Sequence, residues 1–137
     1  MTTINATKGE LVNLVNGLFS IQELKGKKFG IVVSKNLTIL QKELKPLEEA
    51  GKPSEEFMKL AAQVNEIANS QVEDSKEQID QLEKNNQELV NSRRTQMEEV
   101  QKMMEEDMSI DLHILSEEIL PEDITAKQIN GILKIIE

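Results

Sequence analysis

The sequence predicts a mainly α fold: antiparallel helical hairpins in a coiled-coil-like bundle, with a minor two-stranded antiparallel β element, in the order β-α-α-α(-α)-β-α. Three observations predict it. Ser54 to Asp107 contains neither proline nor glycine, and most of it repeats apolar residues at three- and four-residue spacing, the period of a helix with one buried face. Aromatics are 2% of the 137 residues while charged residues are 30%, so the core must be built from Ile, Leu, Val and Met, a profile of long solvated helices. Met108 to Leu115 then changes to a period of two, as in a strand with one buried face.

A chain of this length is expected to form one domain. It falls into three sections: 1–53 with a strand and two helices, 54–107 with a long central helix or two helices, and 108–137 with a strand and a C-terminal helix.

Taken in order, Thr2, Thr3 and Ile4 suit a short strand within residues 1–6. Thr7-Lys8-Gly9-Glu10 matches a capping box, with Thr7 at the N-cap and Glu10 reaching back. Leu11, Val12, Leu14, Val15, Leu18 and Phe19 follow with helical periodicity, to about Leu24. Gly17 weakens this helix slightly, or lets another helix approach closely. Lys25-Gly26-Lys27-Lys28 is a basic connector in which Gly26 suits a C-cap and the lysines suit a helix C-terminus. As a phosphate loop it lacks the Gly-rich spacing and the Ser/Thr.

Phe29 to Ala50 reads as a second helix, with Phe29, Val33, Leu37, Leu40, Leu44 and Leu47 in a seam. Ile31-Val32-Val33 is β-branched and would suit a strand, but the later periodicity argues for helix. Pro46 should kink or end it, and Gly51-Lys52-Pro53 closes it with a turn.

Ser54 caps the central stretch, with Glu55 and Glu56 in the first turn, where the dipole favours acids. Phe57, Leu60, Val64 and Ile67 make two heptads. From Asn69 to Gln78 the seam fails, and Val72 is the only aliphatic residue there. The pattern resumes at Ile79, Leu82, Leu89, Met97, Val100 and Met104, shifted by one residue, with Asn86 and Arg93 at seam positions. A continuous helix would absorb the shift by local winding; a break between Ser70 and Asp74 would do so more simply.

Ile110, Leu112 and Ile114 alternate with Ser109, Asp111 and His113. A lone edge strand needs a mate, and residues 1–6 are the candidate. After the Ile119-Leu120-Pro121 turn, Thr125 and Gln128 form a capping box, with Ile124 and Ile129 at the positions of a hydrophobic staple. The last helix, through Ile132, Leu133, Ile135 and Ile136, is apolar on most of its surface and should be buried.

The chemistry is sparse. There is no cysteine, which excludes disulfides and thiolate metal sites. His113 is the single histidine and reads as a solvated residue on a strand's polar face. A zinc site needs three or four ligands in tetrahedral reach, and no Asp-rich loop suits calcium. No catalytic, cofactor-binding or metal-ligating residue is nominated. The acids at Glu98, Glu99, Glu105, Glu106, Asp107, Glu117, Glu118, Glu122 and Asp123 read as helix ends and solvated faces. The net charge of −9 is uneven: residues 1–52 carry eight Lys against five acids, and residues 53–137 carry eight Lys/Arg against twenty. Such acidity disfavours nucleic acid as a partner. No apolar run approaches the ~20 residues that span a bilayer, and the first residues lack a basic-then-apolar signal pattern.

Arg93 and Arg94 form the one Arg pair, with Met97, Met103, Met104 and Met108 nearby. Methionine packs adaptably and recurs on partner-binding surfaces. These six residues are the candidate partner contacts; the competing reading is that the methionines are ordinary core.

The Leu24 to Lys27 connector and the Leu120-Pro121-Glu122-Asp123-Ile124-Thr125 stretch, set in this layout, resemble small uncharacterised helical proteins encoded by tailed bacteriophages. The resemblance implies a phage origin and a role in virion assembly or host takeover. The expectation is therefore a non-enzymatic helical interaction protein, a virion component or assembly factor. It needs no cofactor, forms a homo-oligomer, engages other proteins rather than nucleic acid or membrane, and resides in the host cytoplasm or the virion. The alternative is a phage-encoded inhibitor that binds a host protein through its acidic or Met-rich surface.

Overall fold

The computed structural model describes residues 1–71 and 73–137. Val72, the lone aliphatic residue of the polar gap, lies outside the described residues. The elements run β1 (Thr2–Thr7), α1 (Lys8–Ser20), α2 (Lys27–Glu43), α3 (Lys45–Ala50), α4 (Glu55–Asn69), α5 (Ser75–Asn85), α6 (Gln87–Met104), β2 (Asp107–Leu112) and α7 (Ala126–Gly131), with short 3-10 turns at Glu117–Ile119 and Leu133–Ile135. The fold is mainly helical with one two-stranded antiparallel sheet, as the sequence predicts. The chain divides into two compact units, Met1–Leu47 with Lys102–Glu137, and Glu48–Gln101.

In the first unit β1 and β2 pair antiparallel, Thr2 opposite Leu112 and Thr7 opposite Asp107. Alternation puts Ala6, Ile110 and Leu112 on a buried face. The other face is polar: the Thr3 hydroxyl donates to the Asp111 carboxylate, and the Ser109 hydroxyl donates to the Asn5 side-chain oxygen. Thr7 ends the strand and caps α1 by accepting the Glu10 N–H at 3.1 Å, which satisfies one of the helix's free donors.

Leu11, Leu14 and Leu18 form the buried stripe of α1, and Ile21 extends it past the helix end. Phe19 falls off that stripe and is exposed, and the helix stops at Ser20 rather than near Leu24. Gly26 does not cap α1. It precedes α2 at φ 143, a backbone state that favours glycine, and its carbonyl accepts the Gly30 N–H at 2.8 Å. Lys27 and Lys28 thus open α2 instead of closing α1.

The predicted seam of the second helix is wholly buried: Phe29, Val33, Leu37, Leu40, Leu44 and Leu47. The β-branched run Ile31 to Val33 lies inside α2. Pro46 divides the helix as expected, with α2 ending at Glu43 and α3 beginning at Lys45. A proline in a first turn sacrifices no intrahelical donor.

α1 packs on β1, α2 and α7. The crossing with α7 is set by Gly17. A Cβ on Gly17 would lie 2.3 Å from the Gly131 carbonyl oxygen, so this glycine does let a second helix approach closely. The C-terminal segment departs from expectation. The capping box of Thr125 and Gln128 is present, but α7 ends at Gly131 and a 3-10 turn follows. The chain then runs extended beside Leu115: the Leu115 N–H donates to the Ile135 carbonyl at 2.7 Å, and the Glu137 N–H to the Leu115 carbonyl at 3.0 Å. Ile132 and Ile135 are buried as predicted, by a turn and a bridge rather than by a helix. β2 likewise stops at Leu112, and Leu115, not Ile114, takes the next buried place.

In the second unit the Ser54 hydroxyl oxygen accepts the Phe57 N–H at 3.1 Å and caps α4. The long central stretch is three helices, not one or two. The first break, between Asn69 and Ser75, falls in the polar gap, where Gln71 has φ 57. The second is at Asn86. Its amide donates to the Leu82 carbonyl at 2.8 Å, and its own N–H bonds three residues back to Glu83. A side chain that competes for backbone partners interrupts a helix in this way. α5 and α6 return along α4 as an antiparallel hairpin, with Arg93 stacked over Phe57.

Candidate interaction surface

The six residues nominated as contacts divide by role. Arg93 is half-buried and structural. Its guanidinium donates to the Gly51 carbonyl and to the Gln96 side-chain oxygen, both at 2.9 Å, and lies 5.5 Å from the Phe57 ring centroid. Gln96 in turn donates to the carbonyls of Ala50 at 2.8 Å and Lys52 at 2.6 Å. The pair therefore ties α6 to the turn before α4, satisfying carbonyls that the end of α3 leaves free. Arg94, one residue on, is exposed, and Met97 is 43% exposed.

Met103, Met104 and Met108 are half-buried and belong to the unit that contains the sheet. The Met104 carbonyl lies 3.2 Å from where a Gly9 side chain would begin. Met108 stands opposite Ala6 on the apolar sheet face. These three are partly covered within that unit and stand outside its buried core. Met58, 55% exposed on α4, sits one position outside the seam residue Phe57, and seam spacing passes over it.

The hairpin has two unlike flanks. Open grooves of about 590 and 470 Å³ mark one of them; Glu56, Asn85 and Ser92 line the first, and Gln78 and Asn85 the second. The outer positions of that flank are polar, and the seam residues Leu89, Ile67 and Leu82 also line the grooves. In an antiparallel pair of heptad helices the residues after the second seam position face one another on the opposite flank. By heptad position Ala61 and Ala68 of α4 and Glu83, Val90 and Met97 of α5 and α6 fall on that flank; Met97 is thus outside the seam in which the spacing placed it, and the half-buried Gln96 takes the place after Arg93. Ala61 and Val90 are half-buried, while Ala68, Glu83 and Met97 are exposed, as are Glu56, Gln78, Asn85 and Ser92 on the first flank. Of the hairpin's seam, only Leu60 and Val100 are fully buried among the described residues.

His113 contributes its backbone rather than its ring. Asn36, fully buried on α2, donates to the His113 carbonyl at 2.8 Å and accepts the His113 N–H at 2.8 Å. Glu10 pairs with Lys134 at 2.6 Å. The Lys134 hydrogen bond, then its charge, then the Thr7 backbone hold this carboxyl below the usual carboxylate range. No group of three or more metal-capable side chains occurs among the described residues. No helix among them is long and apolar enough to cross a membrane. Compared with family models, curated proteins and solved structures, the chain matches none.

Proposed function

We propose that this chain is a non-enzymatic interaction protein that works through helix packing, a phage virion component or assembly factor acting in the host cytoplasm or the virion. The supporting observation is the hairpin of α4 with α5 and α6. It presents an apolar seam, interrupted at Asn69–Gln78 and by Asn86 and Arg93, of which only Leu60 and Val100 are buried among the described residues, and it leaves Met58 and Met97 exposed. Helices in water draw their stability from packing an amphipathic face, and a third or fourth helix would bury what two cannot. The phage assignment rests on the resemblance of the Leu24–Lys27 connector and the Leu120–Thr125 stretch.

Protein mass spectrometry of density-purified virions is the test. A virion component is expected there in stoichiometric amount, and an assembly factor in capsid or tail precursors from infected cells. Recovery in neither fraction would overturn the assignment.

A second reading has its own observation. The hairpin unit carries thirteen acids against six bases, and Met97 is exposed beside it. An inhibitor of a host protein would use such a surface on a basic, apolar site. It predicts one host protein bound at one-to-one stoichiometry early in infection, and no copies in the virion.

A further inference from the structure

Charge is distributed around the hairpin in a pattern that selects a partner. Most of its acids lie on the polar flank or the outer face: Glu56 and Glu99 lie at flank positions, and Glu66, Glu88 and Glu98 farther out by heptad position. The opposite flank and its margin carry Lys76, Asp80, Glu83 and Arg94, two acids and two bases. The same flank carries Ala61, Ala68, Val90 and Met97, apolar residues that are small, compact or flexible and leave room for another helix. A like-charged chain can approach the hairpin on this side without meeting most of its negative charge.

The charges nearest Val90 are also ordered along the helices: Asp80 and Glu83 precede it and Arg94 follows it, with Lys76 farther out at the start of α5. We propose that this flank docks the same flank of a second copy, antiparallel about a two-fold axis near Val90, to form a four-helix bundle. In that arrangement Val90 meets Val90 of the other copy, and Met97 packs beside the other copy's Glu83 stem. Each Arg94 lies within about one helical turn of the opposing Glu83. The contact is isologous, the same patch on both sides, and the two charge pairs fix its direction. A parallel arrangement would set Glu83 against Glu83 and Arg94 against Arg94, which repels. This inference rests on the helix-packing reading above and names the first partner as the chain itself.

The chain contains no cysteine, so Val90→Cys supplies a single thiol at the axis. Mild oxidation of the full-length variant is expected to give a disulfide-linked dimer almost completely. Ser92→Cys on the polar flank, treated identically, is expected to stay monomeric on a denaturing gel. Sedimentation should return twice 15.5 kDa for the unmodified chain at about 100 μM, above the micromolar constants of weak specific pairs. Val90→Glu should return the monomer mass with unchanged helical circular dichroism. Arg94→Glu and Glu83→Lys should each weaken the dimer at least tenfold, and the double exchange should restore it.

A monomer at that concentration overturns the proposal, as does a dimer that ignores Val90→Glu and the charge exchanges. Either result leaves the interaction reading standing if virions still contain the chain. A dimer of the predicted geometry, in a chain absent from virions and from assembly intermediates, would instead remove the virion assignment alone.

Discussion

Asn36 and His113 meet through a pair of hydrogen bonds that uses the whole amide of one residue and only the backbone of the other. The Asn36 side chain donates to the His113 carbonyl and accepts its N–H, both at 2.8 Å, with Asn36 fully buried. The amide thus continues the strand's hydrogen bonding where β2 ends at Leu112, and it locks α2 to the chain after the sheet. Asn36→Leu would leave the part-buried N–H and carbonyl of His113 without their partner, each at a cost in the lower part of the range of about 1–3 kcal/mol. We expect a loss of about 2–4 kcal/mol in urea unfolding. His113→Ala keeps the backbone pair and should change stability by less than about 1 kcal/mol. Equal losses in the two variants would show that the imidazole, not the backbone, makes the connection.

Gly17 and Gly30 give opposite forecasts from the same substitution. Alanine at Gly17 would place its Cβ 2.3 Å from the Gly131 carbonyl oxygen, and backbone cannot move aside without separating α1 from α7. The expected cost is about 3 kcal/mol, the upper range for overpacking. Alanine at Gly30 meets nothing within 4 Å and removes a glycine from a helix, which should stabilise by about 0.5–1 kcal/mol. Thermal melts of the two variants should therefore shift in opposite directions.

These two cases show what the sequence could and could not express. The six seam residues from Phe29 to Leu47 are all buried, because a repeat of three and four marks a helix face without reference to any neighbour. The pairing of the two strands was also legible, since each needed a mate and the other was the one available. Asn36 was not, because apolar spacing skips polar positions, and its value depends on a carbonyl far along the chain. The break at Asn86 turns on which carbonyl its amide finds, and the early end of α7 on the bridge to Leu115. For the contact residues, spacing placed Arg93 in the seam but left open its carbonyl partner, Gly51, and those of Gln96, Ala50 and Lys52.

The Glu10–Lys134 pair predicts a small acid sensitivity in the unit containing the sheet. The Lys134 hydrogen bond and charge, helped by the Thr7 backbone, lower the Glu10 pKa in the folded chain. A carboxyl whose folded pKa is depressed adds stability above its unfolded pKa and loses it as pH falls through the folded value. The contribution is thus intact at neutral pH and disappears below the usual carboxylate range. Because both partners are solvent-exposed, added salt should weaken it. Glu10→Gln should flatten the acid limb of a stability–pH curve and leave the neutral-to-alkaline part parallel to that of the unmodified chain. An unchanged acid limb would assign the sensitivity to other carboxylates.

Arg93 and Arg94 are adjacent but should behave as different kinds of residue. Arg93→Ala removes hydrogen bonds to Gly51 and Gln96 and the stack on Phe57. Charge-assisted hydrogen bonds and a partly exposed cation–π contact together suggest a loss of about 1–2 kcal/mol. Because the hairpin is a unit of its own, the loss should appear as local opening. Backbone amides of Glu55–Ile67 should exchange with deuterium roughly tenfold faster, the factor that corresponds to about 1.4 kcal/mol. Arg94→Ala removes an exposed side chain, so the same amides should exchange at an unchanged rate when the chain is dilute. Its effect should emerge only at concentrations where two copies meet, as weaker self-association. If Arg93→Ala leaves exchange in α4 unaltered, the guanidinium does not hold the hairpin together, and the two arginines would act as one contact patch after all.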